Sequence, residues 1–349
     1  MAKKKKPKRL LLIGSTQSDV HMRNYYSLIE GYFEEVLLVS GNEVDFCDTK
    51  VLDFGLKNPI TIWKTIKQLK NIIDAFEPDI IHVHQANSYG YITAKANKGR
   101  IPQLLTIWGS DVLLLPQKSA VHKRIVQTAL KGAHEITADA SFIHDKVTEL
   151  IGYHHFHTAN FGIDLPALDI DLEKKENIVY SNRLHSDLYN IDAVIEGFAQ
   201  FYQDQNDWKL IIAGRGNNTD ELKQLAADKL PEHAYEFVGF VDYDTNMSYY
   251  QRSSIYISIP SSDGTSVSLL EAMACGAKPV VSNLPANHEW ITTGKNGITL
   301  DGNVGEALKA AQKLDHVYLA AENIDIIEKR ATKKANRKIF KKIYKLLFN

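Results

Sequence analysis

Short apolar runs alternate with helix-length amphipathic segments along nearly the whole chain, and this alternation constrains the fold most. In the first half the runs are RLLLIG (9–14), EVLLVS (35–40), DIIHVH (79–84), QLLTIW (103–108) and HEITAD (134–139). In the second half they are NIVYSN (177–182), WKLIIAG (208–214), YEFVGFV (235–241), SIYISIP (254–260) and KPVVSN (278–283). Continuous apolar strands separated by helices indicate a parallel sheet that is covered on both faces. Two such arrays predict an α/β chain with two Rossmann-like, doubly wound domains.

The segment FGIDLPALDIDLEKKEN (161–177) interrupts the alternation with a proline, several acids and no sustained period, which is typical of a linker. We therefore predict a first domain over 1–165, a second over 166–325 and a basic C-terminal helix over 326–349. Ligands of open α/β sheets bind at the carboxyl ends of the strands. With two such domains, we expect the active site in the cleft between them.

Composition indicates a cytoplasmic protein. No apolar run has the length of a membrane-spanning helix, and the start MAKKKKPKRL lacks the apolar core of a signal peptide. The two cysteines, Cys47 and Cys275, cannot build a disulfide framework, which favours a reducing compartment.

Charge is unevenly distributed, although the net charge is −1. The C-terminal stretch KRATKKANRKIFKKIYKLLFN has no acid, and its apolar residues recur at helical spacing. Either this helix packs on the protein with a solvated lysine face, or its lysines contact an anionic membrane surface. Nucleic acid is not expected as a partner, because no basic stripe with interleaved aromatic residues is present.

The stretch PSSDGTSVSLLEAMACG (260–276) predicts a strand, a small-residue loop and a helix N-terminus, which together favour bound phosphate. Asp263 and Glu271 could then hold the sugar and ribose hydroxyls on either side of a diphosphate. The alternative is purely structural: Ser268 and Glu271 fit a capping box, and Asp263-Gly264 fits an ordinary turn.

Extended to PSSDGTSVSLLEAMACGAKPVVSNLPANHEW and GKNGITL, this stretch resembles the donor-site signature of retaining glycosyltransferases with the GT-B fold, in the large bacterial family 4 (glycosyl transferases group 1). Shorter matches are NRL (182–184), GRG (214–216), GFV near 239, NFGID (160–164) and WGSD (108–111). The resemblance implies that the C-terminal helix crosses back onto the first domain.

The resemblance also implies roles for individual residues. Asp263, Arg183 and Glu271 form the catalytic set: Asp263 contacts the transferred sugar, Arg183 pairs with phosphate and Glu271 accepts the ribose hydroxyls. The donor-binding set comprises Gly14, Ser15, Arg183, Gly214, Val238, Val241, Gly264, Thr265, Ser266, Glu271 and Glu289. The acceptor-binding set comprises His84, Trp108 and Asp111. No metal or cofactor is expected, since Arg183, the helix dipole and backbone N–H groups would stabilise the leaving diphosphate.

The chain departs from the family pattern in several places. Asp263 stands where the first of two glutamates is usual. Leu188 stands where a phosphate-binding lysine is usual, and Arg215 is either its substitute or a solvated surface charge. Trp108 stands where a histidine usually contacts the donor sugar. Gly14-Ser15 replaces a double glycine.

Histidines leave further alternatives open. His84 either faces the acceptor or is a hydrogen-bonded core histidine, like His82 two residues earlier. His154, His155 and His157 resemble a metal cluster, but their spacing matches no zinc motif.

The sequence therefore predicts a retaining glycosyltransferase that moves a sugar from a nucleotide-diphosphate sugar, with uridine favoured, to a glycan or lipid-linked acceptor. The predicted context is surface polysaccharide synthesis in the cytoplasm, with peripheral contact at the inner membrane face. The alternatives are a nucleotide-sugar 2-epimerase of the same architecture and a non-catalytic glycosyltransferase-like subunit.

Overall fold

A computed structural model describes residues 8–17, 20–164 and 171–348. The chain forms two compact units: Met1–Gly162 together with Lys333–Asn349, and Ile163–Thr332. For comparison, the sequence places the divisions at 165/166 and 325/326. The lysine-rich start (1–7) and the proline of the linker (within 165–170) lie outside the described residues.

Within the described residues, the first unit contains a parallel seven-stranded sheet of order β3-β2-β1-β4-β5-β6-β7. Its strands are β1 (Arg9–Ile13), β2 (Glu35–Ser40), β3 (Thr49–Val51), β4 (Ile80–His84), β5 (Gln103–Thr106), β6 (Glu135–Ala138) and β7 (Phe156–Thr158). Its helices are α1 (Val20–Ile29), α2 (Pro59–Phe76), α3 (Ser88–Asn97), α4 (Ser110–Leu113), α5 (Leu115–Lys118), α6 (Ala120–Lys131), α7 (Ile143–Ile151) and, far along the chain, α15 (Lys333–Phe348).

The second unit contains, within its described residues, a parallel six-stranded sheet of order β10-β9-β8-β11-β12-β13. Its strands are β8 (Glu176–Ser181), β9 (Lys209–Ala213), β10 (Tyr235–Gly239), β11 (Ser253–Ser258), β12 (Lys278–Val281) and β13 (Ile298–Thr299). Its helices are α8 (Ile191–Tyr202), α9 (Thr219–Lys229), α10 (Tyr243–Arg252), α11 (Val267–Ala274), α12 (Pro285–His288), α13 (Val304–Gln312) and α14 (His316–Arg330).

The predicted fold class, two doubly wound parallel-sheet domains, is confirmed. Every apolar run named above overlaps a strand. The sequence missed β3, β7 and β13, which are two or three residues long and lie at sheet edges. Segments that short show no periodicity, and an edge position imposes no continuous apolar pattern.

The basic helix α15 packs on the first unit. Phe340, Ile343 and Tyr344 are fully buried in its hydrophobic cluster, so the apolar stripe of the helix is used for packing. The Tyr344 hydroxyl hydrogen-bonds to the Tyr25 hydroxyl and, at 2.7 Å, to Nδ1 of His82. Of the two alternatives for this helix, the structure supports the one in which it packs on the protein. In the part of the chain that is described, no helix combines the length and apolar character needed to cross a membrane.

Candidate functional site

Two neighbouring strands of the second unit place charged side chains at their carboxyl ends. β8 leads into Arg183, and β11 leads into the loop that carries Asp263. Because the two strands pair in parallel, their ends lie at the same edge of the sheet. Arg183 Nη2 lies 2.6 Å from Asp263 Oδ2, and Arg183 Nη1 donates to Ser266 Oγ at 2.6 Å. The structure thus brings Arg183 and Ser266 of the predicted donor-binding set together with Asp263 of the predicted catalytic set.

Arg183 is held by more than the ion pair. Its side chain is 10% exposed, and its guanidinium lies 4.5 Å from the ring centroid of Tyr189. Burial works against its charge, but Asp263 and neighbouring tyrosines outweigh burial and raise its pKa. Burial also raises the pKa of Asp263, and Arg183 offsets part of that shift. A desolvated ion pair of this kind is costly to form, and removal of either partner would leave a buried charge without compensation.

Ser266 is the N-cap of α11, since its hydroxyl accepts a hydrogen bond from the N–H of Leu269. Ser268 therefore lies inside the first turn, and the capping-box alternative for Ser268 and Glu271 is wrong. Glu271 is in the second turn of the helix, where it caps nothing. The N-terminus of this eight-residue helix directs free N–H groups and positive dipole toward the Asp263 loop.

Glu271 is a largely buried carboxyl that lacks a cationic partner among the described residues. Burial raises its pKa from 4.5 to about 7, and a hydrogen bond with Tyr250 offsets only part of that. A carboxyl desolvated in this way gains from hydrogen-bond donors on a ligand.

A buried polar network that the sequence analysis missed lies behind these residues. Asn182 Nδ2 donates to the Tyr250 hydroxyl at 2.7 Å and to Asn246 Oδ1 at 3.0 Å. Tyr180 donates to Asn246 Oδ1 at 2.6 Å, and Tyr256 donates to Asn182 Oδ1 at 3.2 Å. The network links β8, α10 and β11 under Arg183. The sequence signal for this network was the presence of Tyr180 and Tyr256, which carry hydroxyl groups, inside otherwise apolar strands.

The loop before α11 is also fixed from its outer side. Thr265 Oγ1 accepts from Trp290 Nε1 at 3.2 Å, and Ser261 N–H donates to the Leu188 carbonyl at 2.8 Å. Leu188, which replaces the usual lysine, therefore supports the loop through its backbone. The carbonyl of Glu289 accepts from Arg330 Nη1 at 2.7 Å, and Arg330 covers the ring of Trp290.

Gly214 is required where the loop after β9 passes the segment that follows β8. It has φ of +116°, and a Cβ on it would lie 2.5 Å from the Arg183 carbonyl oxygen. The next residue, Arg215, lies over the exposed ring of Phe240. Val238 and Val241 are partly buried and pack against a hydrophobic cluster of the unit.

The strand ends of the first unit carry the predicted acceptor residues, which are buried or half-buried and make hydrogen bonds to each other or to the backbone. His84 is fully buried, and its Nδ1 accepts from Trp108 Nε1 at 3.2 Å. Burial, with a smaller effect of His21, lowers the His84 pKa to about 3. Asp111 accepts from the N–H groups of Ala86 and Trp108, at 2.6 and 3.2 Å, and burial raises its pKa to about 6.

His84 is buried and hydrogen-bonded through Nδ1, as a core histidine would be, and the acceptor roles of the three residues stay predictions. Gly14, also in this unit, leaves no room for a side chain: a Cβ would lie 2.6 Å from Met22 Sδ and 3.1 Å from His84 Cβ. Ser15 Oγ accepts from the N–H of Gln17.

Comparison with known families matches both units. The family "Glycosyl transferases group 1" matches residues 169–334, and "Glycosyl transferase 4-like" matches residues 9–140. This chain belongs to the group 1 glycosyltransferases.

Two relatives illustrate the range of similarity to this glycosyltransferase. An uncharacterised glycosyltransferase of Methanocaldococcus jannaschii is 34% identical over 149 residues, which are 40% of this chain and 37% of the relative. The alpha-monoglucosyldiacylglycerol synthase of Acholeplasma laidlawii is 22% identical over 76% of this chain and 75% of its own length.

Solved structures share the fold along almost the whole chain. A glycosyltransferase from Rickettsia africae superposes with a TM-score of 0.82 at 16% identity, covering 98% of this chain and 99% of that one. Anabaena HepE, solved with UDP and glucose, gives 0.76 at 16% identity, covering 96% and 99%.

The histidine triplet of the glycosyltransferase is tied to local hydrogen bonds. His154 Nε2 lies 3.1 Å from the Ala133 carbonyl, and His157 Nε2 lies 2.7 Å from a carboxylate oxygen of Glu135. Within the described residues, no three His, Cys, Asp or Glu side chains are grouped as metal ligands.

Proposed function

We propose that this group 1 glycosyltransferase transfers a sugar, with retention of configuration, from a nucleotide-diphosphate sugar to a lipid-linked or glycan acceptor. The observation that carries the donor assignment is the arrangement of Arg183, Asp263 and Ser266 at the N-terminus of α11, with Glu271 in the same helix. One cation, one helix dipole and two carboxyls suit the phosphates and hydroxyls of such a donor.

In this proposal Arg183 exchanges its ion pair with Asp263 for one with a phosphate oxygen. Asp263 then accepts a hydrogen bond from a hydroxyl of the sugar. Glu271 accepts the two ribose hydroxyls, which replace the solvation it has lost. The bond between the sugar and its phosphate oxygen breaks, and the acceptor oxygen forms the new bond on the same face. The departing phosphate takes the acceptor proton. Arg183 and the N–H groups of α11 supply the charge stabilisation that this step needs.

Two comparisons support the choice of substrates. Anabaena HepE, which shares the fold, was solved with UDP and glucose, which favours a uridine donor. The Acholeplasma relative is named for a glucosylated diacylglycerol, which favours a lipid-linked acceptor. We place the protein in the cytoplasm, in surface polysaccharide or glycolipid synthesis.

The test is a panel of uridine-, guanosine-, thymidine- and adenosine-diphosphate sugars, scored by ligand-observed binding and donor hydrolysis. Glu271→Gln should weaken binding of the preferred donor about 10- to 100-fold, because the amide keeps one acceptor oxygen but loses the charge and the second acceptor. Glu236→Gln, an exposed glutamate paired with Lys209, is the matched control. Wild-type affinity should rise as pH increases through about 7, since the ionised form of Glu271 accepts both hydroxyls.

If no donor binds, or if Glu271→Gln binds as tightly as wild type, the donor assignment is wrong. Conversion of the donor without any acceptor would indicate the 2-epimerase. Donor binding with no turnover on lipid-linked or glycan acceptors would indicate a non-catalytic subunit.

A further inference from the structure

One face of α2 combines exposed apolar side chains with lysines. Ile60 is 75% exposed and Trp63 is 64% exposed, while Lys64 and Lys67 beside them are also exposed. Positions 60, 63, 64 and 67 follow the spacing of a single helix face. Lys57 lies just before the helix, and these five residues are called the α2 face below.

The structure positions this face firmly. Asn58 caps the helix, Pro59 occupies its first turn, and Thr65, Leu69 and Ile73 anchor the opposite side in the protein. Ile60 and Trp63 therefore cannot turn inward without breaking those contacts. Single exposed apolar residues are ordinary, but a tryptophan and an isoleucine one turn apart on an anchored helix leave apolar surface in water.

The charged side chains of the α2 face are all lysines. By sequence, α2 has one acid, Asp74, and it already pairs with Lys70 and with Arg100. Lys67 Nζ lies 5.5 Å from the ring centroid of Trp63, so cation and aromatic ring are presented together. The lysines of the α2 face thus have no acid on their own helix to neutralise them.

We propose that the α2 face docks this glycosyltransferase on an anionic lipid bilayer. Tryptophan is favoured at the membrane–water interface, and lysines with long apolar stems reach the headgroups while their stems stay near the acyl chains. The helix α15, which the sequence offered for this role, has its apolar stripe buried. The inference deepens the proposed function, because it rests on an acceptor that is linked to lipid.

The test uses the full chain and vesicles of equal parts phosphatidylglycerol and phosphatidylcholine, with pure phosphatidylcholine as the neutral comparison. Co-sedimentation should be strong on the anionic vesicles and should weaken with salt. Ile60→Ser/Trp63→Ser should lower partitioning about 10- to 100-fold, by loss of buried apolar area. Lys64→Gln/Lys67→Gln should lower it about tenfold or more, since each lysine contributes about fivefold.

Matched controls exist elsewhere on the chain. Tyr153 and Val317 are 79% and 70% exposed, and Tyr153→Ser/Val317→Ser removes similar exposed apolar area. Lys338→Gln/Lys342→Gln removes two exposed lysines from α15. Both control variants should partition within about twofold of wild type. Thermal melting of each variant checks that its fold is intact.

Tryptophan fluorescence gives a local readout. Trp208 and Trp290 are buried and Trp108 is half-buried, so Trp63 is the tryptophan in water. Vesicles should shift its emission to the blue, and Trp63→Phe should abolish that shift while retaining most of the sedimentation.

The proposal is overturned if the α15 variant loses vesicle binding while the α2 variants bind vesicles as well as wild type does. It is also overturned if vesicles cause no shift in tryptophan emission. An emission shift that appears when the protein concentration is raised without vesicles would indicate self-association through the α2 face, and this result would also overturn the proposal. Nucleotide-sugar binding, measured in parallel without vesicles, should be equal in all variants. Its failure in wild type would count against the proposed function and not against docking.

Discussion

The two units have the same architecture but present opposite chemistry at the carboxyl ends of their strands. In the second unit the ends carry Arg183, Asp263 and Glu271, which are charged or titrate close to neutrality. In the first unit they carry aromatic rings, and Trp108 contacts His21 at 4.8 Å and His84 at 6.0 Å between centroids. The one acid of the predicted acceptor set, Asp111, has a raised pKa of about 6 and accepts from two backbone N–H groups. Topology supplies two equivalent edges, and the side chains make only the second one suited to an anion.

The largest effect should come from removing the cation of the second unit. Arg183→Met leaves Asp263 buried and unpaired, which should cost about 3–5 kcal/mol of unfolding free energy. Arg183→Met/Asp263→Asn should recover most of that stability, because no buried charge is left. Neither variant should bind a nucleotide-sugar measurably. Denaturant unfolding and calorimetric titration are the measurements, and recovery of donor binding in the double variant would show that Arg183 is not the phosphate ligand.

A smaller effect concerns the stability of the ligand-free protein at Glu271. Its folded-state pKa, about 7, is above the ordinary value of 4.5. The unfolding free energy is therefore highest with respect to this group below about pH 4.5, and it falls as pH rises through 7. Glu271→Gln should therefore stabilise the protein by about 1–3 kcal/mol at pH 8 and by almost nothing at pH 4.5. Melting curves across this range decide it; a stabilisation that does not vary with pH would argue against a raised pKa.

The smallest effect should come from the first unit. Trp108→Phe removes the hydrogen bond from Nε1 to His84 and should cost about 0.5–1.5 kcal/mol of unfolding free energy, with unchanged donor affinity. Because burial lowers the folded-state pKa of His84 to about 3, the ring stays neutral in the folded protein between pH 5 and 9, and no pH dependence of donor affinity should arise from it. The unfolding free energy should rise as pH increases from 5 to about 7, since a histidine of ordinary pKa 6.5 binds a proton in the unfolded chain. A tenfold change in donor affinity in Trp108→Phe would mean that the first unit contributes to donor binding more than its neutral edge suggests.

Sequence reasoning succeeded where local pattern and topology act together. The apolar runs located the long strands, and two parallel strands in one sheet brought Arg183 and Asp263 to one edge. It could not foresee that these two residues pair with each other, because pairing depends on side-chain geometry and burial. The raised pKa of Glu271 likewise results from packing by α10 and the tyrosines around it. The choice between the two readings of α15 depended on whether a buried partner surface existed, and a helical pattern alone does not contain that information.

The packing of α15 has a consequence for the order of events during protein synthesis. Phe340, Ile343 and Tyr344 complete the hydrophobic cluster of the first unit, yet they are translated only after the whole of residues 163–332. At about 5–20 residues per second, that interval is roughly 10–30 s. During it the nascent first unit keeps an apolar surface around Tyr25 open, and His82 lacks its tyrosine partner. The second unit, though it begins later in the chain, is therefore the first whose residues have all been synthesised.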